Sequence, residues 1–230
     1  MRGERARDTK GVIRAVVFDL DGVLLDSERL WDQARREVTI QHNGHWRADA
    51  TAAMLGMSSV EWSRYMRDNL GVDLPPDQIV DLVVADLLER YRRGLPLLPG
   101  AIAAVRRIGQ RWPLALASSA GRPVIDTVLA IAGLQHEFQA TVSSEEVPRG
   151  KPAPDVYLTV VDRLGFAPGQ CAAVEDSTNG LKSASAAGLH VIAVPQHEYP
   201  PDPAALDAAE LVLTSLADLT VDAVCQLGAS

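Results

Sequence analysis

The stretch VVFDLDGVLLDSE (residues 16–28) places two carboxylates directly after an apolar run that is typical of a buried strand. Asp19 ends the run, and Asp21 follows two residues later. Side chains two residues apart on a strand point to the same side, so these carboxylates are expected to lie close together. Their like charges repel, and burial makes the repulsion stronger. The stretch therefore predicts a compensating cation, a proton on one carboxyl group, or both.

The composition of the chain is that of an ordinary globular protein. Its 230 residues are 47% hydrophobic and 23% charged, enough for one large domain or two modest ones. A net charge of −8 argues against non-specific binding to nucleic acid or to an anionic membrane. The basic N-terminus lacks the apolar stretch of a signal peptide, and no apolar run is long enough to span a membrane. We expect a cytoplasmic protein with a frayed tail before Gly11, and the sequence carries no signal for its oligomeric state.

Short apolar runs alternate with helical patterns along most of the chain. The runs predict strands, the last of them at a sheet edge, over residues 12–18, 114–117, 171–174, 191–194 and 211–213. The helical patterns between them cover residues 101–111, 123–132, 155–164 and 179–187. Buried strands that alternate with helices predict an α/β fold, with a parallel sheet covered by helices on both faces.

Residues 27–94 interrupt this alternation and are here called the helical insert. The insert shows no strand pattern, and it predicts helices at residues 28–41, 60–69 and 76–93 with a turn near Gly56. Ser27 stands at the N-cap position of its first helix. We therefore predict a core domain of residues 1–26 and 95–230, with residues 27–94 forming a separate lobe over the strand ends.

Polar side chains gather where the predicted strands end. They are Asp19 and Asp21 after the first strand, Ser118 and Ser119 after the second, Glu175 and Asp176 after the third, and Lys151 in the loop GKPAPD. Ligands of parallel sheets bind beyond the carboxyl ends of the strands. The four carboxylates suit a Mg²⁺ ion, which prefers oxygen ligands and usually works beside phosphate. The lysine and the two serine hydroxyls are predicted to bind the phosphate oxygens.

The paired aspartates then receive different roles. Asp19, held ionised by the metal and Lys151, can act as a nucleophile. Asp21 can remain protonated beside the leaving group and act as an acid. Asp19, Asp21 and Lys151 are thus the predicted catalytic residues.

The segments DLDGVLLDSE, ALASSAG, GKPAPD and VEDSTNG resemble, in this order, the four motifs of the haloacid dehalogenase superfamily. The helical insert resembles the cap of its β-phosphoglucomutase-like phosphatases. The resemblance implies a Rossmann-like core, a mobile cap, Mg²⁺ and an aspartyl-phosphate intermediate. It also implies that Asp19 is the nucleophile, Asp21 the acid and base, and Asp176 a metal ligand, with Glu175 assisting directly or through water.

The predicted function is Mg²⁺-dependent hydrolysis of a small phosphorylated metabolite, such as a sugar phosphate or a nucleotide. One alternative is a sugar-phosphate mutase, although Ser59 and Trp31 stand where the mutase that the chain resembles carries an arginine and a histidine. Another is a phospho-accepting receiver module, which would need neither the Asp21 acid nor a helical lobe of this size.

Trp31 and Arg35 are the predicted specificity residues of the insert. Positions four apart share a helix face, and this face begins just after the loop that carries Asp19 and Asp21. We expect Trp31 to cover the apolar side of the leaving group and Arg35 to contact its polar groups or a second anion. The alternative is that Trp31 packs inside the lobe and Arg35 is a solvated charge.

Overall fold

The computed structural model describes residues 12–228. The expectation of a frayed tail before Gly11 lies outside the described residues. Among residues 12–228, no helix combines the length and the apolar character that crossing a membrane requires.

Six strands form one parallel sheet in the order β3-β2-β1-β4-β5-β6. They are β1 (Ala15–Phe18), β2 (Leu114–Ser118), β3 (Phe138–Ser143), β4 (Cys171–Glu175), β5 (His190–Ala193) and β6 (Leu211–Val212). The chain builds the sheet outward from β1, first through β2 to β3 and then, on the other side, through β4 to β6. The order in which the chain adds strands therefore reverses at β1. Open parallel sheets bind ligands beyond the strand ends at such a point.

Helices flank the sheet and form the insert. The insert contains α1 (Glu28–Gln41), α2 (Ala50–Met54), α3 (Ser59–Leu70) and α4 (Pro76–Arg93). The remaining helices are α5 (Ala101–Gly109), α6 (Arg122–Ala132), α7 (Asp155–Leu164), α8 (Thr178–Ala186), α9 (Pro203–Leu206) and α10 (Val221–Cys225). Two 3₁₀ turns, Ser144–Glu146 and Pro168–Gln170, complete the elements. The predicted α/β class is confirmed.

Strand β1 shows how the sheet buries both faces. Val16 and Phe18 belong to one apolar cluster, whereas Ala15 and Val17 belong to the other, as strand alternation requires. All four side chains are fully buried. The first cluster continues without a break into the insert, where it includes Trp62. The site at the end of β1 is therefore held between two packed layers. The predicted division of the chain into a core domain (residues 1–26 and 95–230) and a separate lobe (residues 27–94) stays a proposal.

Strand β3 was missing from the predictions made on sequence alone. Its segment FQATVS does not carry a continuous apolar run, because Gln139 is exposed and Ala140 and Thr141 are only half-buried. β3 lies at the edge of the sheet, where only one neighbouring strand selects for apolar residues. The register against β2 also shifts between Leu114 and Ala115. Edge position and irregular pairing explain why the pattern is weak.

Candidate active site

The parallel register brings the carboxyl ends of three neighbouring strands together. Phe18 of β1 is level with Leu116 of β2 on one side and with Val174 of β4 on the other. The residues that follow on each strand therefore meet in space. This is why Asp19 and Glu175, far apart in sequence, become neighbours.

The side chain of Lys151 links the end of β1 to the end of β4. Its Nζ donates to Asp19 Oδ1 over 2.9 Å, to Glu175 Oε1 over 2.6 Å and to the Ala117 carbonyl over 3.1 Å. The side chain is only 3% exposed. Burial by itself lowers the pKa of Lys151, but the carboxylates of Asp19 and Glu175 outweigh burial and raise that pKa above its ordinary value. The ammonium group is thus permanently charged and fully coordinated.

Three carboxylates crowd this single cation. One oxygen each of Asp19, Glu175 and Asp176 lies within 4.8 Å of the other two. Burial first, and then Glu175, raise the pKa of Asp19 to about 8. The same two causes, in the same order, raise the pKa of Asp176 well above its usual range. The cluster carries more negative charge than Lys151 can balance.

Asp176 contains the atom that a metal ion would satisfy. Among residues 12–228, its Oδ1 is buried without any hydrogen-bond partner. An unpartnered carboxylate oxygen beside two other carboxylates is the donor set that suits Mg²⁺. The residues present therefore fit the ion, with Asp19 and Asp176 best placed to supply oxygens.

Glu175 is more strongly engaged by protein groups. Oε1 accepts from Lys151 and, over 2.7 Å, from the Tyr157 hydroxyl, and Oε2 accepts from the Asp176 amide over 3.1 Å. Its carboxylate also packs against Gly180, where an added Cβ would lie 2.0 Å from both oxygens. Glu175 thus anchors Lys151 and orders the loop that carries Asp176.

Asp21 turns away from this cluster. Its Oδ1 accepts from the Ser27 hydroxyl over 2.5 Å and from Trp31 Nε1 over 3.1 Å. Burial raises the pKa of Asp21 in spite of these two donors. Its carboxylate does not belong to the group of three that lie within 4.8 Å of one another, and binding of one ion by all four carboxylates stays a prediction. Because the Ser27 hydroxyl donates to Asp21, it makes no hydrogen bond as the N-cap of α1.

Trp31 and Arg35 lie behind Asp21. Trp31 is 4% exposed, with its ring centroid 6.1 Å from that of Trp62. The guanidinium of Arg35 lies 4.8 Å from the Trp31 ring centroid and 5.3 Å from that of Trp62, and the residue is 5% exposed. The structure therefore does not place either side chain against a leaving group. Arg35 is a buried, stacked cation and not the solvated charge of the alternative reading.

The two serines at the end of β2 differ in position. The Ser118 hydroxyl is fully buried and accepts from the Ala120 amide over 3.0 Å. Ser119 faces outward, and its hydroxyl donates to the Gly56 carbonyl of the insert over 3.4 Å. Of the pair, Ser119 is the one that lines the cavity described next.

A cavity of about 680 Å³ opens above Asp19, between the sheet edge and the insert. Its walls come from both parts of the chain. The lining residues that carry the later argument are Asp19, Asp21, Asp26, Glu28, Lys151, Asp176, Glu198 and Asp202. The loop after β1, helix α1, the turn at Gly56 and the segment after β5 thus enclose one space.

Comparisons with known proteins identify the family of this chain. A match to the haloacid dehalogenase-like hydrolases spans residues 13–188, most of the chain. The chain belongs to this family.

Proteins similar to this haloacid dehalogenase-like hydrolase include a phosphatase. Hexitol phosphatase B of Escherichia coli (strain K12) is 33% identical over 225 residues, which cover 90% of this chain and 95% of that protein. The crystal structure of CbbY from Rhodobacter sphaeroides in complex with phosphate superposes with a TM-score of 0.81 at 26% identity, covering 94% of this chain and 100% of that one. A beta-phosphoglucomutase from Clostridium difficile, 20% identical, shares the fold with a TM-score of 0.80 over 93% of this chain and 96% of that one. This hydrolase is a phosphatase.

Several residues of this hydrolase's site escaped the sequence predictions. Tyr157 lies within the predicted helix at 155–164, and the predicted site includes no residue of 196–202. Gln196 in fact donates from Nε2 to the Gly22 carbonyl over 2.5 Å, which ties this loop to the turn after Asp21. A usable signal existed, because residues 196–202 follow the end of a predicted parallel strand, as the recognised motifs do. No comparable signal marks Tyr157.

Proposed function

We propose that this phosphatase hydrolyses phosphate monoesters of small metabolites in a Mg²⁺-dependent reaction through an aspartyl-phosphate on Asp19. The observation that carries the proposal is the buried Lys151, bonded to both Asp19 and Glu175, beside the unpartnered Oδ1 of Asp176. A buried nucleophile, one fixed cation and an open carboxylate oxygen suit the transfer of a phosphoryl group. The similarity to hexitol phosphatase B favours a phosphorylated sugar or polyol over a nucleotide.

The chain's own residues divide the reaction into two steps. In the first, a carboxylate oxygen of Asp19 bonds to phosphorus, and the bond from phosphorus to the leaving-group oxygen breaks. Asp21 gives its proton to that oxygen. In the second, Asp21 takes a proton from a water molecule, whose oxygen bonds to phosphorus and releases inorganic phosphate from Asp19. Throughout, Lys151 holds Asp19 in place and offers positive charge to the phosphoryl oxygens.

The position of Asp21 suits this dual role. Ser27 and Trp31 both donate to Oδ1, so Oδ2 is the oxygen that carries the transferable proton. Both donors come from the start of the insert, which couples the orientation of the acid to the insert. The contact of Ser119 with Gly56 joins the insert to the core on another side of the cavity.

Mg²⁺ would be held by Asp19 and Asp176. Glu175 would support them by binding Lys151 and the backbone amide of Asp176. A bound Mg²⁺ supplies positive charge that offsets the clustered carboxylates and the phosphoryl oxygens. We further propose that the protein acts in the cytoplasm on free metabolites, without a nucleic-acid or membrane partner, in keeping with its net charge of −8.

The metal requirement is testable directly. We expect turnover of 4-nitrophenyl phosphate to stop in EDTA and to return with added Mg²⁺. Asp176→Ala should raise the Mg²⁺ concentration needed for half-maximal activity by at least about tenfold, since it removes a ligand oxygen. Asp162→Ala, which removes an exposed carboxylate on α7, is the matched control and should behave as wild type. Full activity in EDTA would contradict the proposal.

Asp21→Asn tests the acid. An aryl oxide leaves without help, whereas an alkoxide needs a proton. We therefore expect the variant to lose about 10²–10⁴-fold in kcat/KM for an alkyl phosphate and much less in phosphorylation of Asp19 by an aryl phosphate. Burst kinetics would separate that first step from hydrolysis of the intermediate. Equal losses in the first step for both esters would assign Asp21 a structural role.

A further inference from the structure

Away from the reacting centre, the wall of the cavity carries more acidic than basic side chains. Besides the catalytic carboxylates, four acidic residues line it, namely Asp26, Glu28, Glu198 and Asp202. Within residues 12–228, Lys151 is the only lysine or arginine in the lining, and Asp19 and Glu175 already bind it. The space left for a leaving group is therefore bordered by carboxylates.

Two nearby cations pair with carboxylates of this wall from outside the lining, which leaves Asp26 and Glu28 without an ion pair among the described residues. Arg29 is exposed and pairs with Glu198 over 3.3 Å, outside the lining. Lys182 lies 3.8 Å from Asp202, also outside it. Arg35, which the sequence suggested for a second anion, packs against the rings of Trp31 and Trp62 and is not among the residues that line the cavity.

Among the carboxylates of the cavity wall, Glu28 is the one best placed to contact a ligand. It stands in the first turn of α1, lines the cavity and is half-buried. Among the described residues, its side chain accepts no hydrogen bond and forms no ion pair. Burial raises the pKa of Glu28 to about 7, although Arg35 opposes the shift. A carboxyl group without a protein partner, directed to a ligand space, can bind hydroxyl groups and disfavours a further anion.

We propose that Glu28 is a specificity-determining residue that selects phosphate monoesters with an uncharged, hydroxyl-rich leaving group and rejects esters that carry a second negative charge. This inference rests on the proposed function and adds the substrate class. The Glu28 carboxyl group pairs with leaving-group hydroxyls. A carboxylate or a second phosphate on the leaving group would instead meet the carboxylates of Asp26 and Glu28, and the described lining holds no lysine or arginine besides Lys151 to bind it.

A matched pair of substrates tests the proposal. D-Glucitol 6-phosphate and 6-phospho-D-gluconate differ only at carbon 1, which is a hydroxymethyl group in one and a carboxylate in the other. We expect wild-type kcat/KM to favour the glucitol ester by at least about tenfold, as expected for charge repulsion in a partly buried site. If the enzyme turns over only 4-nitrophenyl phosphate, the two esters are compared by their inhibition constants, and the same ratio is expected.

The variant Glu28→Gln keeps the shape and removes the charge. It should reduce the preference for the glucitol ester by at least about threefold, whereas Glu37→Gln, an exposed change on the same helix, should leave it unchanged. A wild-type preference near one, or for the gluconate ester, overturns the proposal even if Glu28→Gln does not fold. An unchanged preference in Glu28→Gln overturns the role of Glu28. Failure of the proposed function gives a different result, namely no Mg²⁺-dependent turnover of any of the three esters, and the inference falls with it.

Discussion

Asp19→Asn is expected to lower kcat by at least about 10⁴-fold, because an amide of nearly the same shape cannot act as the nucleophile. The loss should be equal for alkyl and aryl phosphates, since both need the same attacking atom. Steady-state turnover with Mg²⁺, together with a search for phosphate covalently bound to the protein, measures the effect. A variant that keeps a tenth of the wild-type rate would disprove covalent catalysis by Asp19.

The same variant should fold as well as the wild type or better. Asp19 is one of three buried carboxylates that share a single lysine, and burial raises its pKa to about 8. A carboxyl group whose pKa is higher in the folded state destabilises the fold wherever it is ionised in the unfolded chain, hence at neutral pH. Replacing it with a neutral amide removes that penalty, while Lys151 keeps its bond to Glu175. An unchanged or raised melting temperature in metal-free buffer separates lost chemistry from lost structure.

Lys151→Met is expected to destabilise the metal-free protein by about 3–5 kcal/mol, in addition to abolishing turnover. Methionine fills a similar volume but leaves Asp19 and Glu175 as buried carboxylates without a cation. The Ala117 carbonyl and one Glu175 oxygen also lose a donor. Urea unfolding in EDTA measures the change in the free energy of unfolding.

Lys182→Met is the matched control for that experiment. Lys182 is exposed, and its contact with Asp202 is 3.8 Å long. Exposed ion pairs contribute at most about 1 kcal/mol, so this variant should unfold nearly as the wild type does. Similar losses in the two variants would show that the buried network around Lys151 has no special part in holding the site together.

The local pattern of the sequence was sufficient to predict most elements. The bounds of α1, α4 and α7 agree with the predicted helices at 28–41, 76–93 and 155–164. These helices have sharp ends in the sequence, such as Pro75-Pro76 at the start of α4 and the glycine after α7. α2 was not predicted, since five residues carry too little periodicity.

The candidate site was predictable where residues follow buried strands. Asp19, Glu175 and Asp176 come together because strand alternation and parallel register are short-range rules. The orientation of Asp21 was not predictable in this way. It depends on Ser27 and Trp31, whose side chains reach it only after α1 has packed against the core.

The sequence by itself therefore determined the α/β fold, the helical insert and the identity of the acidic cluster, because each depends on patterns within a few residues. Only the tertiary structure decided that Arg35 is buried against two tryptophans, that Glu175 is already hydrogen-bonded to Lys151 and Tyr157, and that Glu28 and residues 196–202 line the cavity. The physical reason is that a side chain's partner depends on how separate elements pack. Charge and polarity are properties of a residue, whereas burial and pairing are properties of its surroundings.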